Sequence, residues 1–286
     1  MSRIEKAMER ATQLRQGGVA LQDAKQALKP LPEAESRSFH TPPPAVAAPQ
    51  LIMPDNPFLI NSNDPYSPVG EEFRKLKAAL LKLAVGKTFQ NTMLVTSAVP
   101  NEGKSLTALN LAISLAQEYD HTVLLIDADF RRPTIHRYLG IDVKQGFADC
   151  LLGEAEIGEV IIPTGIGRLS VITAGREVSN PVELFASQKS ETLIAEMKHR
   201  YHDRFIIFDT PPVLPFAEAR TLARLVDGVL FVVKEQLASQ TNIKEAIEAL
   251  KGCRMLGMVY NDAVIDRHDE QYMNYQRYSR AETSNV

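Results

Sequence analysis

Hydrophobic and polar positions alternate in two rhythms along this chain, and their order predicts an architecture. Short apolar runs bounded by turn residues predict strands at 93–96, 123–126, 169–172, 205–208, 228–233 and 255–260. Between them, apolar residues at helical spacing predict helices near 104–119, 187–201, 217–225 and 239–251. Strands alternating with helices of this length imply an α/β fold, a mostly parallel sheet covered by helices on both faces. Runs such as Val-Leu-Leu-Ile and Phe-Ile-Ile-Phe have no polar side, which suits strands buried on both faces. Crossovers are expected to be right-handed, with ligands beyond the carboxyl ends of the strands. A further helix near 69–85 precedes the first strand. It carries Phe73, Leu76, Leu80 and Leu83 on one face and Glu71, Arg74 and Lys77 on its polar side.

The pattern changes outside 69–261, the stretch expected to form the one compact domain. Residues 1–29 predict an amphipathic helix: Ile4, Met8, Ala11 and Leu14 follow helical spacing, while Arg3, Lys6, Arg10 and Arg15 add positive charge. Such a helix either packs on its own domain or meets a partner protein or an anionic membrane surface. Residues 30–68 hold ten of the 17 prolines, Pro42-Pro43-Pro44 among them, and predict an extended linker, because proline cannot donate to helix or sheet ladders. Residues 262–286 are polar and aperiodic and read as a flexible tail.

One stretch adds chemistry to this frame. In Leu94-Val-Thr-Ser-Ala-Val-Pro-Asn-Glu-Gly-Lys-Ser-Leu106 an apolar run ends in a loop of small residues and enters a helical pattern. That is the strand–loop–helix layout of a P-loop NTPase, in which backbone amides and a helix N-terminus cradle phosphates. The cradle comprises Ala98, Val99, Pro100, Asn101, Glu102, Gly103, Lys104, Ser105 and Leu106. Lys104 is expected to reach the β- and γ-phosphates of ATP and Ser105 to hold Mg²⁺. Ala98 stands where the common motif has its first glycine, and it is small enough to leave the turn open.

Two further strand ends answer the loop. Val123-Leu-Leu-Ile-Asp127-Ala-Asp129-Phe-Arg131 closes an apolar run with two carboxylates and a cation, and Phe205-Ile-Ile-Phe-Asp209 closes another with one. In a parallel sheet all three carboxylates emerge on the phosphate edge. A lone Asp in such a place is usually a turn residue or a helix cap. Three of them beside a P-loop instead imply binding of nucleotide with Mg²⁺, through Ser105, Asp127 and Asp209.

Composition then excludes more than it adds. A 44% hydrophobic content is ample for a core, and a net charge of −3 gives no global reason to expect nucleic acid. Cys150 and Cys253 lie far apart without metal-ligand spacing, so they read as small core residues in a reducing compartment. His199 and His202 form the one close histidine pair, with no Cys or carboxylate cluster to make a metal site. No apolar run approaches the ~20 residues of a membrane span, and no signal-peptide core is present. The expected location is the cytoplasm, with any membrane association made through a partner.

The Asp-x-Asp-x-Arg run resembles the second Walker motif of the bacterial tyrosine kinases, autokinases of polysaccharide export. Asp209 matches their Walker B position. Glu71-x-x-Arg74-x-x-Lys77 resembles their E-x-x-R-x-x-R oligomerisation motif, with Lys77 replacing the last arginine and its planar fork. Runs such as Asp-Thr-Pro-Pro-Val-Leu-Pro-Phe-Ala-Glu-Ala-Arg look like the branch encoded with exosortase and exopolysaccharide genes. The resemblance implies transfer of the ATP γ-phosphoryl group to tyrosine, homo-oligomeric rings, and a separate membrane-embedded activator of the chain-length-determinant (polysaccharide co-polymerase) type. It implies as well that Lys104, Asp127, Asp129, Asp209 and Arg131 serve catalysis. Asp127 and Asp129 both remain open as proton acceptor, the family leaning to Asp127. Arg131 orients its loop or touches phosphate, and Asn261 contacts adenine or serves a turn.

Tyr272, Tyr275 and Tyr278 recur every third residue in the tail. On composition alone they equally suit a turn packed on the domain surface. The resemblance makes them autophosphorylation sites, used in trans between subunits. The alternative shares the fold: partition and cell-division-site ATPases, which act by nucleotide-gated association. Those carry a second lysine five positions before the invariant one, where this chain has Val99, and they lack a tyrosine-rich tail.

Overall fold

The computed structural model of the chain describes residues 56–57, 59, 67–85, 91–118, 121–200 and 204–264. The helix expected over 1–29, nearly all of the linker at 30–68, and Tyr272, Tyr275 and Tyr278 lie outside the described residues.

Helix α1 (Pro68–Val85) leads into β1 (Thr92–Ser97), α2 (Lys104–Ala116) and β2 (Thr122–Asp127). Four short helices and two strands follow: α3 (Ile135–Leu139), α4 (Phe147–Leu152), α5 (Ile157–Val160), β3 (Ile162–Pro163), β4 (Leu169–Ile172) and α6 (Pro181–Phe185). Then come α7 (Gln188–Arg200), β5 (Arg204–Asp209), α8 (Glu218–Ala223), β6 (Gly228–Lys234), α9 (Gln240–Ala249) and β7 (Met255–Asn261). The six expected strands are found within a residue at each end. Helix α2 stops three residues short of its expected end at 119.

The strands form one sheet in the order β3-β4-β2-β5-β1-β6-β7. Neighbours are parallel throughout, except for the antiparallel two-residue edge strand β3. Strand β5 inserts between β1 and β2, and this order positions the site. It sets Asp127 opposite Asp209 in register, with Val95 opposite Asp209 on the other side. Carboxylates 82 positions apart in sequence thus meet at one level of one sheet edge.

Each face of the sheet carries its own core. On one, Leu94, Ile126, Ile206 and Phe208 pack with Phe147 (α4), Phe185 (α6), Ile194 and Met197 (α7), Leu222 (α8) and Ala246 (α9). On the other, Met93, Val95, Leu125 and Ile207 meet Leu80 (α1), Leu109 and Ile113 (α2), and Ile135 and Leu139 (α3). The alternation is the period-2 pleat of a strand, and each such side chain contributes about 1.5–3 kcal/mol on burial. Phe73, Leu76 and Leu83 extend the α1 stripe onto the second core. Cys150 is buried and Cys253 half-buried; both are free thiols, and burial pushes Cys150 up to about 11. Among the described residues no helix is long and apolar enough to cross a membrane.

Candidate active site

The loop between β1 and α2 bends through two left-handed residues, Asn101 at φ 69° and Gly103 at φ 86°. Glycine adopts this conformation without steric cost and asparagine tolerates it. A Cβ on Gly103 would also lie 2.1 Å from Asn261 Nδ2, so the position is closed to larger residues unless Asn261 moves. Ala98, the departure from the common motif, is fully buried, and its carbonyl accepts the Leu214 amide at 3.3 Å. Glu102 turns inward. Its carboxylate accepts the amides of Val99 (2.8 Å) and Lys234 (3.3 Å), while its carbonyl accepts Asn261 Nδ2 at 2.9 Å. Glu102 and Asn261 thus shape the loop and fasten it to β6 and β7. The first amides of α2 have no acceptor within their own helix and are available to an anion.

Three carboxylates, all nearly or fully buried, stand beyond this cradle: Asp127, Asp129 and Asp209. Lys104 Nζ donates to Asp129 Oδ2 at 2.8 Å and to Ser105 Oγ at 3.2 Å. The other Asp129 oxygen accepts the Arg132 amide at 2.9 Å. Asp127 accepts three amides, from Asp129 (3.2 Å), Thr134 (3.0 Å) and Ile135 (3.1 Å). Asp209 is the least satisfied: neither of its buried oxygens has a well-formed hydrogen bond, and against their burial stand the pull of Lys104 and of the Ser105 hydroxyl.

The electrostatics follow from this crowding. Burial raises the Asp127 carboxyl well above its ordinary range, Asp209 adds to the rise, and the amides of Ile135 and Thr134 oppose it. Burial likewise lifts Asp209 to about 6, against the pull of Lys104 and Ser105. Burial draws the Lys104 ammonium down, but Asp209, Asp129 and Asp127 together outweigh it and hold it above its ordinary value. Three acids with one ammonium in a dry pocket form a site short of positive charge.

Mg²⁺ fits that deficit. Asp209 offers two unused hard oxygens and Ser105 a hydroxyl beside them. Among the described residues no group of three or more His, Cys, Asp and Glu side chains is arranged to cage a metal. Mg²⁺ takes one or two protein oxygens and fills its octahedron with phosphate and water.

Residues not anticipated from sequence hold the Asp-bearing segments. Phe130, between Asp129 and Arg131, stacks on Phe185 (5.1 Å between centroids, 6° between planes) and leans on Phe147 at 6.2 Å. Arg131 Nε donates to Glu218 Oε1 at 2.8 Å, and its guanidinium lies over the Phe216 ring, 5.3 Å from the centroid. The segment after Asp209 is bonded to β1 and the P-loop. Thr210 N reaches Val95 O (3.2 Å), Val213 N reaches Ser97 O (2.8 Å), and Thr96 Oγ1 donates to Pro211 O (2.9 Å). Arg220 donates to the carbonyls of Val213 and Leu214. An Asp-Thr-Pro-Pro run with an arginine nine residues beyond Pro211 was the available sequence signal. On α1, Arg74 pairs with Glu71 at 2.6 Å, and Lys77 pairs with Glu118 beyond the end of α2.

A family model described as an AAA domain matches residues 101–256. The tyrosine-protein kinase YwqD of Bacillus subtilis (strain 168) is 33% identical over 214 residues, covering 74% of this chain and 89% of that protein. The tyrosine-protein kinase etk of Escherichia coli (strain K12) is 33% identical over 218 residues, which are 76% of this chain but 29% of its own length. Among solved structures, the kinase domain of Escherichia coli tyrosine kinase ETK superposes with a TM-score of 0.66 at 29% identity, covering 73% of this chain and 82% of that one.

Proposed function

The chain belongs to the bacterial tyrosine-protein kinases, and we propose that it is an autokinase whose acceptors are Tyr272, Tyr275 and Tyr278, phosphorylated in trans between subunits. One observation carries the reading: Lys104, Ser105, Asp127, Asp129 and Asp209 meet on the P-loop edge in a pocket short of positive charge. Lys104 is paired with Asp129, so the β- and γ-phosphates would have to share or replace a carboxylate as its partner. The amides of the loop and of the α2 N-terminus bind the remaining phosphate oxygens. Ser105, Asp127 and Asp209 would hold Mg²⁺, whose charge offsets that of the phosphates and of the departing ADP oxygen. The phenolic oxygen bonds to the γ-phosphorus as the bond to the β,γ-bridging oxygen breaks. The electron pair leaves with ADP, and the phenolic proton passes to Asp127. Asp127 suits that role better than Asp129, whose carboxylate Lys104 ties up.

The tail leaves the domain beside this pocket. Asn261, the last residue of β7, touches the P-loop, and Asp262 pairs with Lys234 at 2.7 Å. Tyr272 follows Val264 by eight residues, a reach of up to ~26 Å when extended. A second copy brought up through the face of α1 that carries Glu71 and Arg74 would offer its tail to the pocket, with Lys77 serving inside the chain as a tie to Glu118. Each phosphate adds about −1.5 to −2 charge, so a fully modified tail is repelled from the acidic pocket and the ring loosens. Mg²⁺-dependent turnover of this kind would regulate exopolysaccharide assembly through a separate membrane activator of the chain-length-determinant type.

Mixing two variants tests the trans step. A Lys104→Met chain with an intact tail is incubated with a chain that is active but has all three tail tyrosines changed to Phe. Phosphotyrosine on the Lys104→Met chain is expected. A mixture that stays blank while wild-type protein labels itself would reject transfer between subunits. ATP-dependent dimerisation without any phosphotyrosine would instead favour the partition-type switch.

A further inference from the structure

Arg131 is the cation nearest in sequence to Asp129, yet its guanidinium pairs with Glu218 and lies over Phe216. It is held by Glu218, whose side chain is 2% exposed against 42% for Arg131. The two ends of this pair differ in how firmly they are fixed. Glu218 opens α8, and the segment before it is tied to β1 and the P-loop through Thr210, Val213 and Leu214 and braced by Arg220. Arg131 sits in the loop between β2 and α3, whose Asp129 carries the Lys104 contact. Glu218 is therefore the anchored end of the pair, and it adds a tether at Arg131 to the amide contacts of Asp127 and Asp129 and the Phe130 stacking that already hold the loop. Its second oxygen, Oε2, is buried without a partner, so the carboxylate is committed to Arg131 alone among the described residues.

The geometry points to Glu218 as a positioning residue for phosphoryl transfer: by keeping Arg131 over Phe216, it fixes the loop bearing Asp127 and Asp129 and withholds a competing cation from the acidic cluster. This rests on the kinase reading above for its catalytic consequence. With Glu218 neutralised, the guanidinium is released two residues from Asp129, beside three buried acids that share one ammonium. It would fall onto them and occupy oxygens that Mg²⁺ and the tyrosine proton need. Displacements of about 1 Å in such a constellation cost up to ~10²-fold in rate.

The test uses the full chain as wild type, Glu218→Gln, Arg131→Gln and the double variant, measuring phosphotyrosine turnover and binding of a fluorescent ADP analogue with and without Mg²⁺. Glu218→Gln should lower kcat roughly 10- to 100-fold. Mg²⁺-free ADP affinity should stay within about twofold, because Lys104 and the loop amides bind the nucleotide. Adding Arg131→Gln to Glu218→Gln should cause no further loss and restore part of kcat, since the harmful group is gone. Losses that multiply, a Glu218→Gln kcat equal to wild type, or a parallel fall in Mg²⁺-free ADP affinity would each overturn the assignment. Glu218→Asp guards against a misfolded variant: it keeps the charge but draws it back by one methylene, and an undiminished kcat would equally overturn the assignment. Mg²⁺ affinity of the ADP complex separates the two readings, since it needs no kinase activity. Glu218→Gln should weaken it about tenfold. If wild type makes no phosphotyrosine, the kinase reading fails while this arm still decides, and an unchanged Mg²⁺ affinity rejects the role of Glu218.

Discussion

Asp209 and Asp227 lie at opposite ends of one parallel sheet and have opposite fates. Asp227, just before β6, accepts the amides of Asn91 (3.1 Å) and Thr92 (3.0 Å), the Thr92 hydroxyl (2.8 Å) and Lys198 Nζ (2.9 Å). Burial pushes its pKa up, but those four donors, Lys198 foremost, bring it below the ordinary value. Asp209, at the carboxyl end of β5, has no well-formed hydrogen bond to either oxygen, and burial lifts it to about 6 against the pull of Lys104 and Ser105. The amino-terminal edge spends its carboxylate on holding strands together. The carboxyl-terminal edge leaves its carboxylates short of donors and charge, a deficit that Mg²⁺ and the lysine–phosphate contact can fill. Stability and function are thus written on opposite edges of the same sheet.

The largest effect should come from the functional edge. Lys104→Met is expected to reduce phosphotyrosine formation at least ~10³-fold, about 4 kcal/mol of transition-state stabilisation, in a turnover assay. Asp227→Ala should act on the other edge, lowering unfolding free energy by about 2–3 kcal/mol in urea titrations while kcat per folded molecule stays near wild type. Asp209→Asn inverts that pattern. It should stabilise the Mg²⁺-free protein by about 1–3 kcal/mol at pH 7, because burial costs the Asp209 charge more than Lys104 and Ser105 return, and still cut transfer by ~10²-fold or more.

The pH dependence separates the two edges by sign. Asp209 holds its proton to about 6, against 3.8 ordinarily, so the folded state binds more protons across that window and stability falls as pH rises through it. Asp227 is lowered, so its contribution is present above its ordinary value and lost as pH falls below it. Thermal melts between pH 3 and 7 should show the rising-pH loss flattened in Asp209→Asn and the low-pH loss flattened in Asp227→Asn. The smallest effect belongs to Lys77→Ala, about 0–1 kcal/mol from the half-exposed pair with Glu118, read by the same melts.

The sheet was legible because its inner strands are buried on both faces and so stand out as unbroken apolar runs. The edge strand β7 shows by its apolar run although it is largely exposed. Helices α3 to α6 were not, since elements of four to six residues are too short for a 3.6-residue period to show. Edge strand β3, two residues ending in Pro163, gives no period at all. At the site, Lys104 and the three aspartates were legible as a motif. What supports them was not: Glu218 lies 87 positions from Arg131, and Phe130 and Phe185 are 55 apart, so only the folded sheet order joins them. Asp227 carried no motif, and its importance comes from four donors that converge in space.

Mass spectrometry of purified protein after incubation with Mg-ATP decides whether this edge of the sheet transfers phosphate to the chain's own tyrosines, as proposed above. Phosphotyrosine is expected within residues 272–278 and is expected to be absent from Lys104→Met. Sustained ATP hydrolysis with no phosphotyrosine anywhere in the chain, even with the cytoplasmic segment of a membrane activator supplied, would contradict that proposal.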